Sequence, residues 1–64
     1  MKKVALLGAG GKMGLRLTAN LQGSDYEVRH VEISERGVAA LKERGVTAVP
    51  LEQALDGADA LILA

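Results

Sequence analysis

A run of glycines set between an apolar stretch and a helical pattern limits this chain more than any other feature. Val4-Ala5-Leu6-Leu7 leads into Gly8-Ala9-Gly10-Gly11-Lys12-Met13-Gly14, after which apolar residues recur at helical spacing. Strand, glycine turn and helix in that order is the setting of a phosphate-cradling loop. Glycines let the backbone turn sharply and bring its N–H groups close to an anion, while the helix behind them points its positive end at the same place. A dinucleotide pyrophosphate is the expected ligand. The spacing departs from G-x-G-x-x-G, whose third glycine would fall at Met13. The chain offers instead Gly8, Gly10 and Gly14, or Gly8, Gly11 and Gly14. Either pattern alone is weak and needs support from further along.

That support is Glu32, eighteen positions beyond Gly14. A dinucleotide-binding unit carries an acidic residue about 20 positions on, at the end of its second strand. Glu32 follows the run Tyr26-Glu27-Val28-Arg29-His30-Val31, where its carboxylate is placed to accept hydrogen bonds from adenosine ribose hydroxyls.

Taken in order, Lys3 to Leu7 reads as a first strand, continuously apolar as a parallel strand covered on both faces should be. Lys12 to Gln22 follows as a helix with Gly14, Leu17, Thr18 and Leu21 on one face, and Gly23-Ser24-Asp25 stops it. Tyr26 to Ile33 is the second strand. Ser34 caps a helix from Glu35 to Arg44 whose buried stripe is Val38 and Leu41. Gly37 weakens the first turn of that helix and reads as a tolerated glycine, with space for a ribose as the alternative. Val46-Thr47-Ala48-Val49 is expected to form a third strand because of its β-branched residues. Pro50 stops it and opens a short helix, Leu51 to Leu55. Asp56-Gly57 then turns the chain into a fourth strand, Ala60 to Ala64. The pattern is β-α-β-α-β-α-β, an α/β Rossmann-like doubly wound parallel sheet of strand order 3-2-1-4, first half only.

Composition narrows the function classes. With 64 residues and one aromatic, Tyr26, the core has to be thin and aliphatic, although 48% hydrophobic and 25% charged residues describe a globular chain and not a disordered one. Eight basic and eight acidic residues cancel and are scattered, so no footprint for nucleic acid or an acidic membrane is present. The absence of cysteine removes disulfides, thiolate metal sites and a cysteine nucleophile, and fits a cytoplasmic location. Met1-Lys2-Lys3 before an apolar run imitates a signal peptide, but the run is too short for one and reads as a strand. The fourth strand would stand at an open sheet edge, so residues 1–64 read as the N-terminal part of a dinucleotide-binding domain, with the substrate domain outside this chain.

The wording Leu7-Gly8-Ala9-Gly10-Gly11-Lys12-Met13-Gly14, with Val31-Glu32-Ile33-Ser34 and Gly57-Ala58-Asp59-Ala60-Leu61-Ile62-Leu63-Ala64, resembles the cofactor-binding half of oxidoreductases related to 6-phosphogluconate and 3-hydroxyacid dehydrogenases. Within them it is most similar to the D-apionate oxidoisomerase group. The resemblance covers the whole chain, while dihydrodipicolinate reductases and prephenate dehydrogenases carry similar G-x-x-G-x-M-G openings. It implies that Gly8, Ala9, Gly10, Gly11 and Gly14 shape the pyrophosphate loop, that the backbone of Lys12 and Met13 faces phosphate, and that Glu32 holds ribose. It also implies a hydroxyl-bearing sugar acid or hydroxyacid as substrate, a later helical domain carrying the acid/base residues, and a homo-oligomeric complete protein. A carboxylate at Glu32 repels a 2′-phosphate, so NAD is expected over NADP, with Arg36 as the residue that would admit NADP.

Gly10 is expected to stay small for the ligand's approach. Lys12 reads equally as a solvated helix start or as a phosphate contact. His30 reads as a strand residue and not a general base, and Asp25, Glu27, Glu43, Glu52, Asp56 and Asp59 read as surface charge without metal spacing. Ser24 and Ser34 have no histidine partner placed by a motif, so no nucleophile is expected here. Two classes follow: a segment of an NAD(P)-dependent oxidoreductase, or a non-catalytic nucleotide-sensing module on the same fold.

Overall fold

The computed structural model describes residues 2–64. Strand β1 (Lys3–Leu7) is followed by helix α1 (Lys12–Leu21), strand β2 (Glu27–Val31), helices α2 (Glu35–Glu43) and α3 (Leu51–Leu55), and strand β3 (Ala60–Leu63). The strands form one parallel sheet in the order β2-β1-β3. Lys3 to Leu7 face Glu27 to Val31 on one side, and Val4 to Leu7 face Ala60 to Leu63 on the other. β1 is therefore central, and its Val4, Ala5 and Leu6 are buried, which is why that run is apolar without alternation.

Side-chain alternation along β1 divides the core between two faces of the sheet. Leu6 packs with Ala9, with Leu41 of α2, and with Leu15 and Leu17 of α1. Ala5 packs with Val31 and with Ala54 of α3. Two helices thus cover one face and the short third helix the other. Because α1 and α2 lie on one side and α3 on the opposite side, the path reverses at β1. In open α/β sheets that reversal is where ligands are held, beyond the carboxyl ends of the strands.

The turn chemistry follows the sequence. Gly23, Gly45 and Gly57 have φ of 78°, 76° and 71°, values that a side chain disfavours, and each ends a helix or turn. Ser34 caps α2 by accepting the Gly37 amide at 3.0 Å.

Three expectations are corrected. Val46 to Val49 does not form a strand; it makes one ladder-like contact, the Val49 amide on the His30 carbonyl at 2.8 Å. Val46 and Ala48 instead lie half-buried against the Leu6 cluster, so their burial gives a strand-like composition without strand pairing. The second strand is shorter than Tyr26–Ile33, because Tyr26 and Ile33 lie outside it with exposures of 47% and 96%. Val38, assigned to the buried stripe of α2, is 38% exposed, and Leu41 together with Gly37 makes the buried face. No helix among the described residues is long and apolar enough to cross a membrane.

Candidate functional site

The loop after β1 is built from backbone bonds. Gly8 takes φ 74°, and its amide and that of Ala9 both donate to the Val31 carbonyl, at 2.9 and 3.1 Å. This ties the loop to the end of β2. The Gly11 amide returns to the Gly8 carbonyl at 3.1 Å, and Leu15 closes the first turn of α1 on the Gly11 carbonyl at 2.8 Å. Gly11 is the N-cap and has no side chain with which to cap. The amides of Lys12, Met13 and Gly14 precede that first intrahelical bond, so they point out of the helix start. No acidic residue offsets the helix dipole in this first turn, and Lys12 adds positive charge to it. An anion is what such a helix start attracts.

The glycines divide by role. Gly14 is buried, and a Cβ there would overlap Gly8 and Ala9, so it is needed where the helix crosses its own strand. Ala9 is fully buried and offers only its backbone. Gly10 departs from expectation. A Cβ on it would run into the backbone of Gly37 in α2, so its smallness serves the docking of loop on helix. Gly37 is likewise more than tolerated, since the Glu32 side chain fills the space a side chain there would need.

Glu32 joins these parts. Its Oε1 accepts the Gly10 amide at 2.8 Å, and its Oε2 accepts the Ser34 amide at 3.1 Å and the Ser34 hydroxyl at 2.9 Å. The Ser34 amide is the foremost of the donors that hold its carboxyl below the usual carboxylate range, with the Ser34 hydroxyl and the Gly10 and Ile33 amides adding to it against the opposing effect of burial. Glu32 is thus an ionised acceptor beside the loop, at the end of β2. A cleft of about 260 Å³ adjoins it, lined by Leu7, Gly8, Val31, Glu32, Ile33 and Leu51. Ile33 and Leu51 are the exposed apolar residues of that lining.

Among the sequence-derived candidates, Gly8, Ala9, Gly10, Gly11, Gly14 and Glu32 come together, with Lys12 and Met13 exposed at the helix start. Arg36 is exposed on the first turn of α2. His30 lies half-buried in β2, and burial lowers its pKa. Glu27 pairs with Arg29 at 3.1 Å, and Asp59 accepts the Lys3 amide at 2.8 Å. No cluster of three histidine, cysteine or acidic side chains able to hold a metal occurs among the described residues. Sequence reasoning missed Ser34 as a partner of Glu32, and missed the apolar cleft. The exposed dipeptide Ile33-Ser34 after the strand was the available signal.

A parallel α/β unit with a glycine loop at its switch point and a carboxylate ending the second strand belongs to the class of folds that hold nucleotides. Comparison with known proteins makes this more particular. The chain is 58% identical over 64 residues to a D-apionate oxidoisomerase of Cupriavidus necator, and 54% identical over 65 residues to one of Rhizobium rhizogenes. These alignments take in 98% and 100% of this chain but 23% and 24% of the relatives, so the chain spans about a quarter of the curated relatives it matches. Among solved structures, it superposes with a TM-score of 0.96 and 57% identity on a semialdehyde dehydrogenase NAD-binding protein from Cupriavidus necator, determined in complex with calcium and NAD. That match covers all of this chain and 24% of the other. A putative oxidoreductase from Jannaschia sp. CCS1 matches with a TM-score of 0.88 and 37% identity, over 97% of this chain and 23% of its own. No family model matches. The resemblance drawn from the glycine loop and Glu32 is borne out: this chain is similar throughout to part of the D-apionate oxidoisomerases.

Proposed function

We propose that residues 1–64 are the cofactor-binding part of an NAD-dependent oxidoreductase that acts on a hydroxyl-bearing carbon of a small sugar acid or hydroxyacid. The observation that carries the reading is the ionised Glu32 carboxylate held beside the Gly10 amide, next to an uncapped helix start. Charge complementarity runs in the right order along a dinucleotide. The amides of Lys12 and Met13 would meet the pyrophosphate, Gly8, Ala9, Gly10, Gly11 and Gly14 would give the loop its shape, and Glu32 would accept the ribose hydroxyls. The apolar cleft by Ile33 and Leu51 would take the adenine. NAD supplies the hydride acceptor, and the residues of this chain bind and orient it. Residues for moving the substrate's proton would lie outside this segment.

Glu32 also argues for NAD over NADP, since an ionised carboxylate repels a 2′-phosphate. The test is calorimetric titration of both cofactors into the native chain containing these residues, with and without Glu32→Gln. NAD affinity should fall by about tenfold, the scale of a lost charged hydrogen bond, while the preference over NADP narrows. Unchanged affinity and an unchanged preference would remove Glu32 from the site.

A further inference from the structure

We propose that Ser34 is a positioning residue that fixes the Glu32 carboxylate and so sets the discrimination between NAD and NADP. This rests on the nucleotide reading above. Ser34 Oγ accepts the Gly37 amide at 3.0 Å and lies 2.9 Å from Glu32 Oε2. A hydroxyl has one proton to give, and with a lone pair already committed to the helix amide that proton goes to the carboxylate. The same oxygen therefore caps α2 and orients Glu32. The Ser34 amide holds Oε2 as well, at 3.1 Å, and the Gly10 amide holds Oε1 at 2.8 Å. Behind the carboxyl group stands the backbone of Gly37, close enough that a Cβ there would collide with it.

With donors on both oxygens and a wall behind, the carboxylate has one orientation available. A 2′-phosphate would require it to turn away, and turning breaks bonds to two elements at once. Discrimination then has a rigid component in addition to charge. Removing the hydroxyl leaves the charge in place but takes one of the two donors from Oε2, so the carboxylate is held less firmly by the Ser34 and Gly10 amides that remain. Loss of this donor also raises the Glu32 pKa toward its ordinary value, because a hydrogen bond to the ionised form is gone.

Ser34→Gly separates this role from helix capping, since glycine at an N-cap costs far less than alanine. The ratio of NADP to NAD dissociation constants should fall about 3–10-fold in the native chain, on the scale of one hydrogen bond to a charged group. The acid limb of NAD binding should move to higher pH, because Glu32 has to be ionised to accept from ribose and now protonates sooner. Ser34→Thr, which keeps the hydroxyl, should restore both. A carbon-13 titration of the Glu32 carboxyl without cofactor should show the same upward shift. If Ser34 only caps the helix, Ser34→Gly lowers the unfolding midpoint and weakens both cofactors in proportion, with the acid limb unmoved; that result overturns the inference and leaves the nucleotide reading intact. If the wild-type chain binds neither cofactor at any pH, the nucleotide reading fails and this inference fails with it.

Discussion

Gly10 carries a demand from the helix behind it and, under the proposed function, a second from a ligand in front. A Cβ added there meets the carbonyl of Gly37, and backbone on both sides leaves little room to relax. Gly10→Ala should therefore destabilise the folded chain by about 1–3 kcal/mol with no cofactor present, the usual cost of forcing extra volume into a packed site. Urea unfolding checks this, and an unaltered midpoint would return Gly10 to a purely ligand-facing role. Glu32 was legible from spacing alone, because the lengths of one helix and one strand set how far from the loop the second strand ends. Its bonds were not legible. Ser34 looks like any helix cap, and Gly37 looks like a weak first turn, until α2 docks beside Gly10, twenty-seven positions earlier in the chain.

Among the elements, α3 has the least support of its own, since five residues are far below the length at which a helix stands alone in water. Arg29 of β2 supplies what is missing. Its guanidinium donates to the carbonyls of Gln53 at 3.3 Å, Ala54 at 3.2 Å and Asp56, where cationic charge also complements the helix dipole. Arg29→Met keeps the stem and removes the donors, so it should cost about 1–3 kcal/mol and speed amide exchange in α3 before the sheet opens. Exchange in α3 no faster than in wild type would show that Ala54 packing alone holds the helix. Apolar patterning located α1 and the central strand β1 because burial and pattern coincide there, and it located α2 while putting the exposed Val38 on its buried face. It failed at Val46 to Val49, where half-buried β-branched residues meet β2 through one hydrogen bond. Pattern reports burial, whereas a strand also needs a neighbour over several residues.

For the molecule as a whole, the sheet is closed on neither side, and β3 pairs only with β1. Leu61 and Leu63 are 51% and 75% exposed along that edge, and the strand carries no charge to deter pairing. Prepared by itself, the chain of residues 1–64 should associate with rising concentration in light scattering. A cooperative monomer at every concentration would refute the edge argument. The contact of the glycine loop with α2 has a different consequence, in time. As a ribosome extends the chain, Gly8 to Gly14 emerge well before Glu32, Ser34 and Gly37, and until those later residues arrive nothing accepts the Gly10 amide or backs the Glu32 carboxylate. The cradle is therefore not a local turn waiting for its ligand. It closes only when the second helix has been made and docked.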